Sequence, residues 1–183
     1  MLLMIGCISF VIMLINDLNQ VYFHLEIGKW AFGIGCILLA IVTGVLIYQA
    51  IKEVVSIMTI QWVFMAAGLL FFVLLIYTLF FALPFDGTYI DQDRLQVYDQ
   101  GVYALCRHPG ILWFFGFYVC LAAALASYEL SIAAICFSIM NLAYAWIQDK
   151  LIFPRTLSGY EEYQKKVPFL IPDKASIKES LHK

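Results

Sequence analysis

The chain has 183 residues, 63% of them apolar and only 13% charged, with mean hydropathy +0.88, a formal charge of −2 and a pI near 5.8. A soluble domain of this length cannot hide so much apolar surface, and a chain this apolar and mildly acidic is neither disordered nor a nucleic-acid binder. The composition leaves an integral membrane protein with one domain over 1–183. Cys7, Cys36, Cys106, Cys120 and Cys136 are odd in number, have no C-x-x-C spacing and lie mostly in apolar runs. They read as small hydrophobes, and neither a disulfide framework nor a metal site is expected.

In chain order, apolar runs predict five membrane helices over 1–23, 30–51, 60–83, 109–127 and 130–147, with four as the alternative because the first apolar run, 1–15, is short of the about 20 residues a span needs. The first run has no basic start and no small-residue cleavage site after Ile15, so it reads as a helix continuing through Asn16 and Asp17 rather than a removable leader. Short joins predict that helices two and three, and four and five, form antiparallel hairpins. Residues 84–108 read as a long polar loop, marked by Gly87, Asp91, Asp93 and Asp99. The segment 150–183 reads as an amphipathic helix over 156–166, ended by Val167-Pro168, and then a polar tail. The expected fold is an all-α membrane bundle with this C-terminal helix in the cytoplasm.

Five alternating helices put Lys52 alone on one face. Lys29, Arg94, Arg107, Lys150, Arg155, Lys165, Lys166, Lys174, Lys178 and Lys183 fall on the other. Basic loops stay in the cytoplasm, so the long loop and the C-terminus are expected there. The chemically versatile groups share that face, whereas mid-membrane ionisable groups or broken helices would be expected of a transporter.

Two segments carry these groups. In the first, Gly101-Val102-Tyr103-Ala104-Leu105-Cys106-Arg107-His108-Pro109 runs into the fourth helix. Pro109 suits a first turn, where its missing amide hydrogen costs nothing, and the positive helix end beside Arg107 and His108 suits an anion. An interfacial anchor explains the same residues. In the second, Gln148-Asp149 ends the fifth helix and leads through Arg155 to Tyr160, Tyr163, Val167 and Pro168. An interfacial ion pair and an aromatic belt explain these as well.

Together, residues 101–172 resemble the isoprenylcysteine carboxyl methyltransferase and phospholipid methyltransferase family of membrane enzymes. The resemblance implies S-adenosylmethionine as cofactor, and a lipophilic small molecule or lipid as methyl acceptor. It implies cofactor contacts at Tyr103, Arg107, His108, Pro109, Gln148, Asp149, Tyr160, Tyr163 and Pro168. Arg107 is expected to hold the cofactor's carboxylate, and Asp149 its amino group, its ribose or the sulfonium charge. Asp149 and Arg155 are the expected catalytic pair, with Arg155 positioning an anionic acceptor. Gln148 and Asp149 stand where the family has two glutamates. Ile111 and Trp113 stand where it has an aromatic and a glycine, so an indole is expected near the cofactor pocket. Two alternatives stay open: a non-catalytic relative binding lipid or a partner, and an NADPH-dependent sterol reductase. His108 in place of asparagine and the scarcity of arginine argue against the reductase. Oligomeric state is left open.

Overall fold

A computed structural model describes residues 1–54, 56, 58–82 and 95–180, with Ile27, Leu95, Ala175 and Glu179 described by backbone alone. The described chain is almost entirely helical. Helix α1 (Leu2–Leu18) passes into a π-helical turn, Asn19–Phe23, and a 3-10 turn, Glu26–Trp30, leads into α2 (Ala31–Glu53). Then come α3 (Thr59–Phe80), the short α4 (Val102–Leu105), α5 (Pro109–Leu125) and α6 (Tyr128–Ile147). A second π-helical turn, Gln148–Ile152, leads to α7 (Phe153–Thr156), α8 (Tyr160–Lys166) and α9 (Lys174–Ser180).

Four helical stretches are long and apolar enough to cross a membrane: Leu2–Phe23, Gly28–Glu53, Thr59–Phe80 and Tyr128–Thr156. The apolar helix Pro109–Leu125 is shorter, at 17 residues. Its ends have local causes. Pro109 occupies its first turn, and Ala126 closes it in the left-handed conformation at φ 49°. Ser127 then caps α6 by accepting from the Leu130 amide, which satisfies one of the free donors of the first turn.

The core lies where α1, α2, α5 and α6 meet, around Phe10, Leu46, Tyr118 and Phe137. Thr43 and Tyr118 share a buried hydrogen bond between α2 and α5. Helix α3 packs along α5, not α2, so the expected hairpin of the second and third helices does not close. The reason is the shape of α5: a Cβ on Gly116 would lie 2.8 Å from the Phe71 ring, and one on Gly68 would meet Cys120 at 3.4 Å. These glycines let α3 nestle against α5.

Three further expectations need correction. The last long helix does not end at 147 but continues helically through Thr156. The π-helical turn immediately precedes Pro154, which has no amide hydrogen to continue an α-helical ladder. The amphipathic helix expected over 156–166 is broken at 157–159: Leu157 and Ser158 pair in parallel with Leu95 and Gln96, and Gly159 turns at φ 79° before α8 begins. That left-handed angle favours a residue without a Cβ. The expected loop 84–108 holds the strand Leu95–Gln96 and α4. Gly87, Asp91, Asp93 and Arg94, the end of the third span at Leu83, and Lys183 lie outside the described residues.

Candidate functional site

The start of α5 and the end of α6 meet at Asp149, which is 0% exposed. The Arg107 guanidinium grips this carboxylate with two prongs, Nε to Oδ1 at 2.7 Å and Nη2 to Oδ2 at 3.1 Å. Tyr160 donates its hydroxyl to Oδ1 at 2.7 Å, and Gln164 donates Nε2 to Oδ2 at 3.0 Å and to the Asp149 carbonyl at 2.7 Å. His108 Nε2 lies 3.4 Å from Oδ1, with its ring stacked on Phe153 and tilted against Phe169. The exposed Lys150 ammonium is 3.8 Å from Oδ2. A buried ion pair repays its desolvation only when its remaining lone pairs and protons find partners, and here both carboxylate oxygens and all three guanidinium nitrogens have them.

Arg107 also fastens the C-terminal segment. Its Nη1 donates to the carbonyls of Gln164 and Val167, and its backbone amide to the Pro168 carbonyl at 2.9 Å. The His108 amide donates to Phe169 at 3.2 Å. Carbonyls of residues 168–169 therefore approach the positive end of α5, where the sequence suggested an anion. Tyr163 donates to the Tyr103 carbonyl at 2.6 Å, and the Tyr103 hydroxyl donates to the Thr78 carbonyl at the end of α3. Burial pushes the Tyr103 phenol up to about 12 and the Cys106 thiol up to about 11. The Tyr160 and Tyr163 phenols are raised as well, by burial first and then, for Tyr160, by its bond to Asp149. All these groups are neutral near pH 7.

Tyr103, Arg107, His108, Pro109, Asp149, Tyr160, Tyr163 and Pro168 thus come together. Two expected residues do not join them. Arg155 is exposed, with its guanidinium 5.2 Å above the Tyr22 ring. Gln148 turns the other way and donates Nε2 to Asp17 Oδ2 at 2.8 Å. Trp113 donates its indole N–H to Thr78 Oγ1 at 3.1 Å and stacks on Phe71, so it engages α3 at the residue whose carbonyl also accepts the Tyr103 hydroxyl. Ile111 is buried at the start of α5.

Asp17 forms a second polar centre that the motif reading missed. Its carboxylate, 7% exposed, accepts from Tyr144 at 2.7 Å as well as from Gln148, and Asn16 Nδ2 reaches Oδ1 at 3.3 Å. The usable signal was an acid within an apolar span, which costs enough to imply a role. Gln164, inside a quoted motif but not singled out, was hidden because its role depends on where the chain folds back.

Comparison with known proteins finds no match to any family, curated sequence or solved structure.

Proposed function

We propose that the chain is a membrane-embedded methyltransferase that uses S-adenosylmethionine to methylate a lipophilic acceptor at the cytoplasmic face. One observation carries this reading: of the three separated stretches that the resemblance ties to one cofactor site, 101–109 and 160–168 converge on Asp149 of the third, with Gln148 alone turned away. The basic residues on the same side, from Lys29 to Lys178 among the described residues, support a cytoplasmic placement.

The donor set fits the cofactor in charge but not in every expected contact. Arg107 and Asp149 are engaged with each other and with the C-terminal segment, so neither is free to take the cofactor's carboxylate or amino group directly. Their part is to brace the site and exclude water. However, Asp149 faces Arg107 and, at 3.8 Å, the exposed Lys150, whereas the buried Asp17 has no cation within ion-pair distance among the described residues, which suits a cationic ligand. When bound, the cofactor supplies a methyl group on a positively charged sulfur. The protein's contribution is alignment and a dry surround, the main requirements of such a displacement. His108, held between Phe153 and Phe169, is the buried imidazole nearest Asp149 and orients polar groups of the ligand. Arg155 stands exposed beside Tyr22, where an anionic headgroup can reach it.

Saturable binding of S-adenosylmethionine or its demethylated product to the detergent-purified protein is the expected result. No binding of either overturns the reading. The completeness of the Asp149 network favours one second reading, a non-catalytic scaffold that keeps the braced helix ends and binds lipid or a partner. That reading predicts no cofactor binding.

A further inference from the structure

We infer that Asp17 is the charge-reading residue of the site: it pairs with the ligand's cationic centre and so favours the methyl-bearing donor over the demethylated product. The inference rests on the methyltransferase reading and extends it to α1, outside the segment that carries the resemblance.

Three observations converge. First, Asp17 has no Lys, Arg or His within ion-pair distance among the described residues, whereas Asp149 is gripped by Arg107. Its hydrogen-bond donors are the neutral Tyr144, Gln148 and Asn16. A carboxylate buried without a cation is costly, and inside a membrane protein it marks a ligand or ion path. Second, its two oxygens are unequal. Oδ2 accepts from Tyr144 and Gln148 at 2.7 and 2.8 Å, whereas Oδ1 has only the 3.3 Å contact from Asn16. Oδ1 therefore keeps acceptor capacity that its one long contact does not fill. Third, Gln148, the residue next to Asp149 in the chain, donates to Asp17, and both helices change there to π-helical turns, Asn19–Phe23 and Gln148–Ile152. Such turns are frequent at functional sites.

Methyl transfer turns a sulfonium into a neutral thioether. A carboxylate facing the sulfur therefore loses its partner when the reaction is complete, which weakens the hold on the product. Tyr144 and Gln148 fix the carboxylate and position it without touching the ligand themselves.

The test is equilibrium binding of S-adenosylmethionine and of S-adenosylhomocysteine to the full chain in detergent. The parent is expected to bind the cationic donor roughly ten- to a hundredfold more tightly, the range of a contact to a charged group. Asp17→Asn keeps the shape and removes the charge. It is expected to bring the ratio near one while leaving the neutral ligand's affinity within about threefold. A merely structural tie between α1 and α6 would weaken both ligands together and leave the ratio intact, which would overturn the inference. Equal affinity of the parent for both ligands overturns it with no variant needed, should Asp17→Asn not fold. If the parent binds neither, the methyltransferase reading itself falls, a result distinct from a parent that binds both alike.

Discussion

The most demanding consequence of the structure concerns the Arg107–Asp149 pair. Asp149→Asn removes the negative charge from a fully buried position and leaves the Arg107 guanidinium, 9% exposed, without its counter-ion. Nearly everything at this junction depends on the carboxylate: both prongs of Arg107, the Tyr160 hydroxyl and one bond from Gln164. Removing one partner of such a pair costs about 3–5 kcal/mol. At about 2–4 °C per kcal/mol for a chain of this size, the unfolding midpoint should fall by ~6–20 °C. Unfolding followed by tryptophan fluorescence in a fixed detergent measures this. Arg107→Met should be similarly damaging. The double variant Arg107→Met with Asp149→Leu should lose much less than the two single losses added, because no charge is then left buried alone. A midpoint within 2 °C of the parent for Asp149→Asn, or strict additivity of the two changes, would refute the argument that this pair braces the helix ends.

Other outcomes follow from local geometry. Gly35→Ala should destabilise by about 1–3 kcal/mol, since its new Cβ would lie 2.8 Å from the Ser9 carbonyl oxygen of α1. Gly33→Ala on the same helix meets nothing within 4 Å and should be neutral or gain up to about 1 kcal/mol of helix propensity; equal effects would refute the packing. Tyr163→Phe removes the donor to the Tyr103 carbonyl. It should cost about 1 kcal/mol and speed tryptic cleavage after Lys165 and Lys166. Alkaline titration gives a further check. The Tyr103 phenol, raised in the fold to about 12 from 10.0, contributes stability that is fully present below pH 10 and is lost as pH rises from 10 towards 12. Tyrosinate absorbance should therefore show Tyr103, Tyr160 and Tyr163 ionising late among the eleven tyrosines, with the C-terminal segment released as they do; a single wave near pH 10 would count against their burial. Orientation can be read from thiols introduced by Lys174→Cys and Lys52→Cys: an impermeant maleimide should reach the first only from the cytoplasmic side and the second only from the other.

The amino-acid chain alone discloses four helices long and apolar enough to cross a membrane, because a demand for about 20 apolar residues is written locally and survives any arrangement of neighbours. Pro109 at a helix start is legible for the same local reason, whereas Gly159, read as part of a continuous helix, shows its turn only in the fold. Pairing is not local. That α3 would choose α5 over α2 depends on Gly116 and Gly68 facing Phe71 and Cys120, a match between surfaces far apart in the chain. Likewise, Gln148 and Asp149 are adjacent in sequence, yet one turns to Asp17 on α1 and the other to Arg107 before α5. Neighbours on a helix point in different directions, so only the packed bundle decides which partner each side chain meets. The fold also decides that Arg107 holds its own chain's carboxylate, because two opposite charges enclosed together away from water find each other before any ligand arrives.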